Sequence, residues 1–94
     1  MSSLRLILWT MTDQIHMHDI VALLEDTAAR HFLTGQQLVL RRGQVGTVVM
    51  ICDGTTFEVE FAGHDGRPDA ILQVKTDKLM VLHDSFEPAV VRKQ

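Results

Sequence analysis

Gly46-Thr47-Val48-Val49-Met50-Ile51-Cys52-Asp53-Gly54-Thr55-Thr56-Phe57-Glu58-Val59-Glu60-Phe61 is the stretch whose reading decides the fold of this chain. Its first half is rich in β-branched side chains, which suit a pleated, half-buried surface. Its last five residues alternate strictly between apolar and charged, so Phe57, Val59 and Phe61 share one face of a strand while Glu58 and Glu60 take the other. Asp53-Gly54 between the two runs is turn chemistry that a tight reversal prefers. The segment predicts a β-hairpin with one core face and one solvated face.

Working outward, Arg41-Arg42-Gly43-Gln44-Val45-Gly46 places two glycines three apart around a polar tip, where the backbone can turn sharply at no Cβ cost. Gly43 or Gly46 is expected to have positive φ, or to lie where a Cβ would clash. Downstream, Gly63 to Asp69 is a turn-rich connection, Ala70 to Lys75 resumes a strand, Thr76 to Leu79 reads as a single capped turn, and Met80 to Leu82 as a short closing strand. Val48, Leu72 and Val74 are expected to join Phe57, Val59 and Phe61 in one buried cluster. Upstream, Asp19 to Asp26 suits either a short buried strand or the first turn of a helix, and periodicity alone does not decide. Thr27 to Leu33 reads as a helical turn with Gly35 as its cap, inside a long loop running to Leu40.

Composition bounds the rest. The chain has 94 residues, 46% of them hydrophobic, which fits one small domain and excludes a multidomain enzyme. A formal charge of -3 offers no diffuse attraction for phosphate backbones. The single cysteine, Cys52, cannot close an intramolecular disulfide, which is compatible with a reducing cytoplasm. Met1 to His16 is read as a leader, an extra strand or a frayed end. Its apolar run Leu4-Arg5-Leu6-Ile7-Leu8-Trp9 is far below the ~20 residues of a membrane span, and no small-residue cleavage site follows it. Met11 and Met17 each offer an alternative start. Residues 17–84 are expected to form the domain and residues 85–94 a polar tail.

Four or five short strands at close spacing, a long first loop and a single helical turn before the last strand describe an all-β, small SH3-like barrel. The constellation Asp19-x-Val21-x-Leu23-Leu24-Glu25-Asp26, Arg42-Gly43-Gln44-Val45-Gly46-Thr47-Val48-Val49, Phe57 to Phe61, Asp65-Gly66 and Leu79-x-x-Leu82 resembles a family of small bacterial domains of unknown function, DUF4926-like, over about Met17 to Leu82. The Arg-Gly-x-x-Gly-Thr-Val-Val segment also resembles, more distantly, the turn into a strand of transcription-elongation SH3-like modules and of nitrile hydratase beta-subunit barrels. The narrower resemblance implies the fold and a bacterial origin but no activity. It also implies a role as partner of a neighbouring gene's product, the immunity or antitoxin half of a toxin pair included.

No constellation for catalysis emerges. His16 and His18 would share a face of an extended segment and could chelate a metal with Asp13 or Asp19, but no third ligand stands at a metal-like spacing, so neither metal nor cofactor is expected. Cys52 could pair with His31 or His64 as nucleophile and base. Its place beside Ile51 in an apolar strand instead predicts an inert core thiol. Glu58 and Glu60 read as a solvated strand face that discourages edge pairing. Arg30, Arg41 and Arg42 could make a basic spot near the Gly43–Gly46 turn, whose backbone N–H groups are candidates to cradle a phosphate; a phosphate-binding loop would need a Lys-Ser/Thr pair or a helix after Gly46, and neither follows, so turn formation is the expected role.

The expected function is therefore that of a non-catalytic protein-interaction module, with Phe32 and Leu33 as anchors on the long loop and Arg30, Arg41 and Arg42 as further binding residues. Gly43, Gly46, Asp53 and Gly54 hold its turns. The alternative is a nucleic-acid-binding SH3-like module of the elongation-factor type. A homodimer is also expected, because Leu4, Leu6, Leu8 and Trp9 add an apolar strip that so small a core cannot absorb.

Overall fold

The computed structural model describes residues 14–63 and 65–83; the N-terminal leader up to residue 13, His64 and the C-terminal tail lie outside the described residues. Among the described residues seven strands run in chain order: β1 (Ile20–Leu23), β2 (Thr27–Arg30), β3 (Gln37–Leu40), β4 (Val45–Ile51), β5 (Thr56–Ala62), β6 (Pro68–Lys75) and β7 (Leu79–Leu82), with a 3-10 turn at Thr76–Lys78. The protein is all-β, as the patterning requires. β6-β5-β4-β1-β7 form one sheet and β2-β3 a separate two-stranded ribbon.

The sheet is not a closed barrel. β6 and β7 are its two ends and do not pair with each other. The ribbon occupies the region read as a long loop with a helical turn. Ala28 and Ala29 favour helix by propensity, but Thr27 pairs with Leu40 and Ala29 with Leu38, and Leu40 enters the core with Ala29 packed against it. Burial of that face outweighs a local preference of a few tenths of a kcal/mol per residue. Gly35 does cap one turn: its φ is +73° and its N–H donates to the His31 carbonyl at 3.0 Å, but the turn is the ribbon's tip.

Paired residues of an antiparallel sheet share a face, so the register assigns both sides. Val21, Leu23, Val48, Phe57, Val59, Phe61, Ala70, Val74 and Leu79 form the core, with Leu72, Val81 and Ile15 packed against it. Ile15 thus belongs to the folded unit although it precedes Met17. The opposite face carries the rows Met80–Ala22–Val45 and Leu82–Ile20–Thr47–Glu60–Ile71. The register of β4 on β5 shifts between Val48 and Met50. That bulge re-phases the alternation, so Val48 and Ile51, three apart, both lie on the side of Val59 and Phe57. Glu58 and Glu60 sit on the outer face as read, but β5 lies between β4 and β6, so they guard no edge.

Two glycines do different work. Gly43 has φ +90° with open space around it, a left-handed conformation that side chains resist. Gly46 is packed under β5, and a Cβ there would stand 2.8 Å from the Glu60 carbonyl oxygen and 2.8 Å from Val59 Cγ1.

A candidate interaction surface at the ribbon tip

The tip between β2 and β3 is organised by His31. Its Nδ1 accepts the backbone N–H of Leu33 at 3.1 Å and of Thr34 at 3.2 Å, which leaves the ring proton on Nε2, 3.5 Å from Asp69 Oδ1. Phe32 N–H donates to the Asp69 carbonyl at 2.6 Å, and Gln36 N–H to Thr34 Oγ1 at 3.2 Å. Asp69, at the start of β6, therefore holds the tip through its main chain and its side chain. With its backbone so tied, the tip presents Phe32 54% and Leu33 71% exposed. Because the backbone of this turn is already hydrogen-bonded, a partner covering the two side chains would have little main-chain entropy left to remove. Val39 on β3, opposite Ala28, extends the apolar surface along the outer side of the ribbon.

The arginines do not assemble with one another. Arg30 pairs with Gln37 at the tip end of the ribbon, and its Nη1 donates to the Gly35 carbonyl at 3.2 Å. Arg41 and Arg42 follow Leu40, which itself stands three residues, or about 10 Å, along the strand from Gln37. There Asp26 accepts from Arg42 N–H at 2.8 Å and pairs with Arg41 Nε at 3.6 Å, while Lys78 Nζ meets Glu25 Oε1 at 2.9 Å. This end is a mixed-charge surface, and both contacts with Glu25, the hydrogen bond first, raise the Lys78 pKa above its ordinary 10.5. The turn's amides are also engaged. Arg42 N–H serves Asp26, Gly43 N–H donates to the Leu23 carbonyl at 2.7 Å and Gln44 N–H to the Arg41 carbonyl at 2.9 Å, so these three amides are taken up by the turn rather than turned toward an anion.

Two further expectations are corrected. Cys52 is exposed, not core, because β4 ends at Ile51 and Cys52 opens the loop, its N–H donating to the Thr56 carbonyl at 3.0 Å. It lies at the Thr56 end of β5, whereas His31 is held at the β6 start that pairs with the other end, roughly 20 Å away at the rise of an extended strand. Those two make no nucleophile and base, and His64 lies outside the described residues. The Asp53-Gly54 turn is wider than a two-residue reversal, with Cys52 to Thr55 all outside the strands. Asp53 Oδ1 accepts Thr55 N–H at 2.8 Å and Thr55 Oγ1 at 3.1 Å, and these bonds, the backbone one first, lower the Asp53 pKa. Gly54 has open space around it.

His16, His18 and Asp19 form a turn before β1 rather than an extended chelate: His16 N–H donates to Asp19 Oδ2 at 2.8 Å and His18 has φ +69°. Among the described residues no three His, Cys, Asp or Glu side chains come together as metal ligands. Among them also, no helix is long and apolar enough to cross a membrane. Sequence reading missed the roles of His31 and Asp69. The available signal was His31 four residues before a turn glycine; Asp69 is joined to it only by tertiary structure.

Comparison with curated proteins and with solved structures yielded no match. The family profile described as Domain of unknown function (DUF4926) matches residues 17–81, from the turn before β1 through most of β7, and the chain belongs to that family.

Proposed function

We propose that this chain is a non-catalytic protein-interaction module of SH3-like architecture that engages a protein partner through the tip of its β2–β3 ribbon. The strand order, with a hairpin inserted between β1 and β4 and one 3-10 turn before β7, supports the SH3-like reading. The observation that carries the function is the exposure of Phe32 and Leu33 on a turn fixed by His31 and Asp69. A neighbouring gene's product, in the manner of an immunity or antitoxin pair, is the first partner to test, and a reducing cytoplasm suits a chain with one exposed thiol.

Nucleic-acid binding is the weaker reading. Arg30 stands apart from Arg41 and Arg42, and Arg41 is already paired with Asp26. The test immobilises the full chain, wild type against F32S/L33S, and offers the products of neighbouring genes. A protein retained by the wild type and lost by the variant supports the reading; equal retention by both refutes the tip as the contact. Retention on RNA or DNA that falls steeply with salt would favour the alternative.

A further inference from the structure

The sheet face opposite the core carries an apolar strip over β7, β1 and β4. Val45, Met50 and Met80 on it are each about half exposed, and Ala22, flanked by Val45 and Met80, is only 4% exposed although it points away from the core. The ribbon packs on the other face through Leu40 and Ala29. β5 adds two carboxylates to the apolar face, Glu58 and Glu60, about 7 Å apart at the spacing of alternate strand residues. Neither makes a hydrogen bond or ion pair among the described residues, whereas Glu25, Asp26, Asp65 and Asp69 each have a cationic or histidine partner. The one Lys or Arg of the strands that shares this face there is Lys75, opposite Thr56 and one alternate position along β6 from Gln73, the partner of Glu58; no ion pair joins it to Glu58.

An apolar strip flanked by two unpaired carboxylates is complementary to a basic amphipathic segment and repels phosphate. We propose that this face is a second docking surface, distinct from the ribbon tip, for a partner segment of alternating apolar and Lys/Arg residues. Its apolar side chains lie over Ile20, Ala22, Val45, Met80 and Leu82, and two of its cations meet Glu58 and Glu60. An extended segment lying along the boundary between β4 and β5, with its side chains directed across the sheet surface, turns its apolar side toward β1 and β7 and its cations, about 7 Å apart, toward the two glutamates.

The probe is a fluorescein-labelled ten-residue peptide alternating leucine and lysine, titrated with the full chain at about 0.15 M salt, a strength that screens exposed charges beyond ~8 Å. Controls replace its leucines by serine or its lysines by glutamate. Saturable binding of the leucine–lysine peptide is expected, with both controls at least about tenfold weaker, since apolar burial and charge each contribute. E58Q/E60Q should raise Kd by about tenfold, at the strong end of two surface ion pairs, and M80S should raise it too. F32S should leave it unchanged, so failure here and failure of the ribbon-tip reading are separable. Circular dichroism matching the wild type verifies the fold of each variant. The proposal is overturned by absence of binding, by equal binding of the serine–lysine peptide, by an unchanged Kd in E58Q/E60Q, or by loss of binding in F32S. It is also overturned if light scattering shows a dimer that Met80→Asp dissociates, because the face would then be covered by a second copy.

Discussion

Substituting Gly46 by alanine should destabilise the protein by filling a space that does not exist. The added Cβ would lie 2.8 Å from the Glu60 carbonyl oxygen, 2.8 Å from Val59 Cγ1 and 2.9 Å from Phe61 Cδ1. The two side chains could shift by rotation, but both are fully buried in the core. The carbonyl cannot move without disturbing β4–β5 pairing, since Glu60 is the register partner of Thr47. Overpacking of this kind costs about 1–3 kcal/mol, offset by the roughly 0.4–1 kcal/mol that alanine contributes by stiffening the unfolded chain. A net loss of about 1–2 kcal/mol is expected. A domain of this size has on the order of 4–10 kcal/mol to lose. Thermal unfolding should therefore show Tm lowered by roughly 5–15 °C. Gly43 supplies the control, because its surroundings are open and only its φ of +90° resists a side chain. Asparagine tolerates that conformation better than alanine, so G43N should be milder than G43A, while G46N should be worse than G46A. The reasoning is refuted if urea titrations place G46A within about 0.5 kcal/mol of the wild type, or if G46N is as benign as G43N.

Phe32→Ser and Leu33→Ser should leave stability within about 0.5 kcal/mol of the wild type, because both side chains are exposed, and urea midpoints check this. Phe61→Ala, at the centre of the core, should cost about 3–5 kcal/mol by the same assay. Asp53 has its folded pKa held below the ordinary 3.8, so its contribution is present above that value and is lost as pH falls through the folded pKa. The stability difference between wild type and D53A should accordingly be present at pH 7 and shrink in acid below pH 3.8, read from urea midpoints across pH. Lys78 runs the other way: its raised pKa makes the Glu25 tie fully present below 10.5 and lost as pH climbs through the folded value, so K78M should differ from wild type at pH 7 and converge with it in strong alkali. Cys52 should take up one equivalent of a thiol reagent in the native state at the rate seen in denaturant; a rate far below that would mean the exposed loop is wrong.

Much of this fold was legible because strand alternation is local. Phe57, Val59 and Phe61 must share a face whatever lies beneath them, and so must Glu58 and Glu60. The glycines at 43 and 46 could be read as needed, since a bare Cα serves either a left-handed turn or a close approach, but which one each serves is a fact about β5, not about the turn. The 3-10 turn and the short last strand were likewise local matters, although no side chain caps that turn.

Tertiary structure decided the rest. Thr27 to Arg30 becomes a strand because Gln37–Leu40 pairs with it and Leu40 enters the core, an energy that local propensity does not contain. The bulge at Val48–Met50 re-phases the β4 alternation, and Cys52 passes from an expected core position to an exposed loop because β4 ends at Ile51, one residue earlier. His31 and Asp69 meet across 38 positions of sequence, and the apolar outer face joins β7 to β1 and β4. Alternation fixes which residues of one strand lie together; only pairing between distant strands fixes which surfaces exist, and for this protein the candidate binding surfaces are of the second kind.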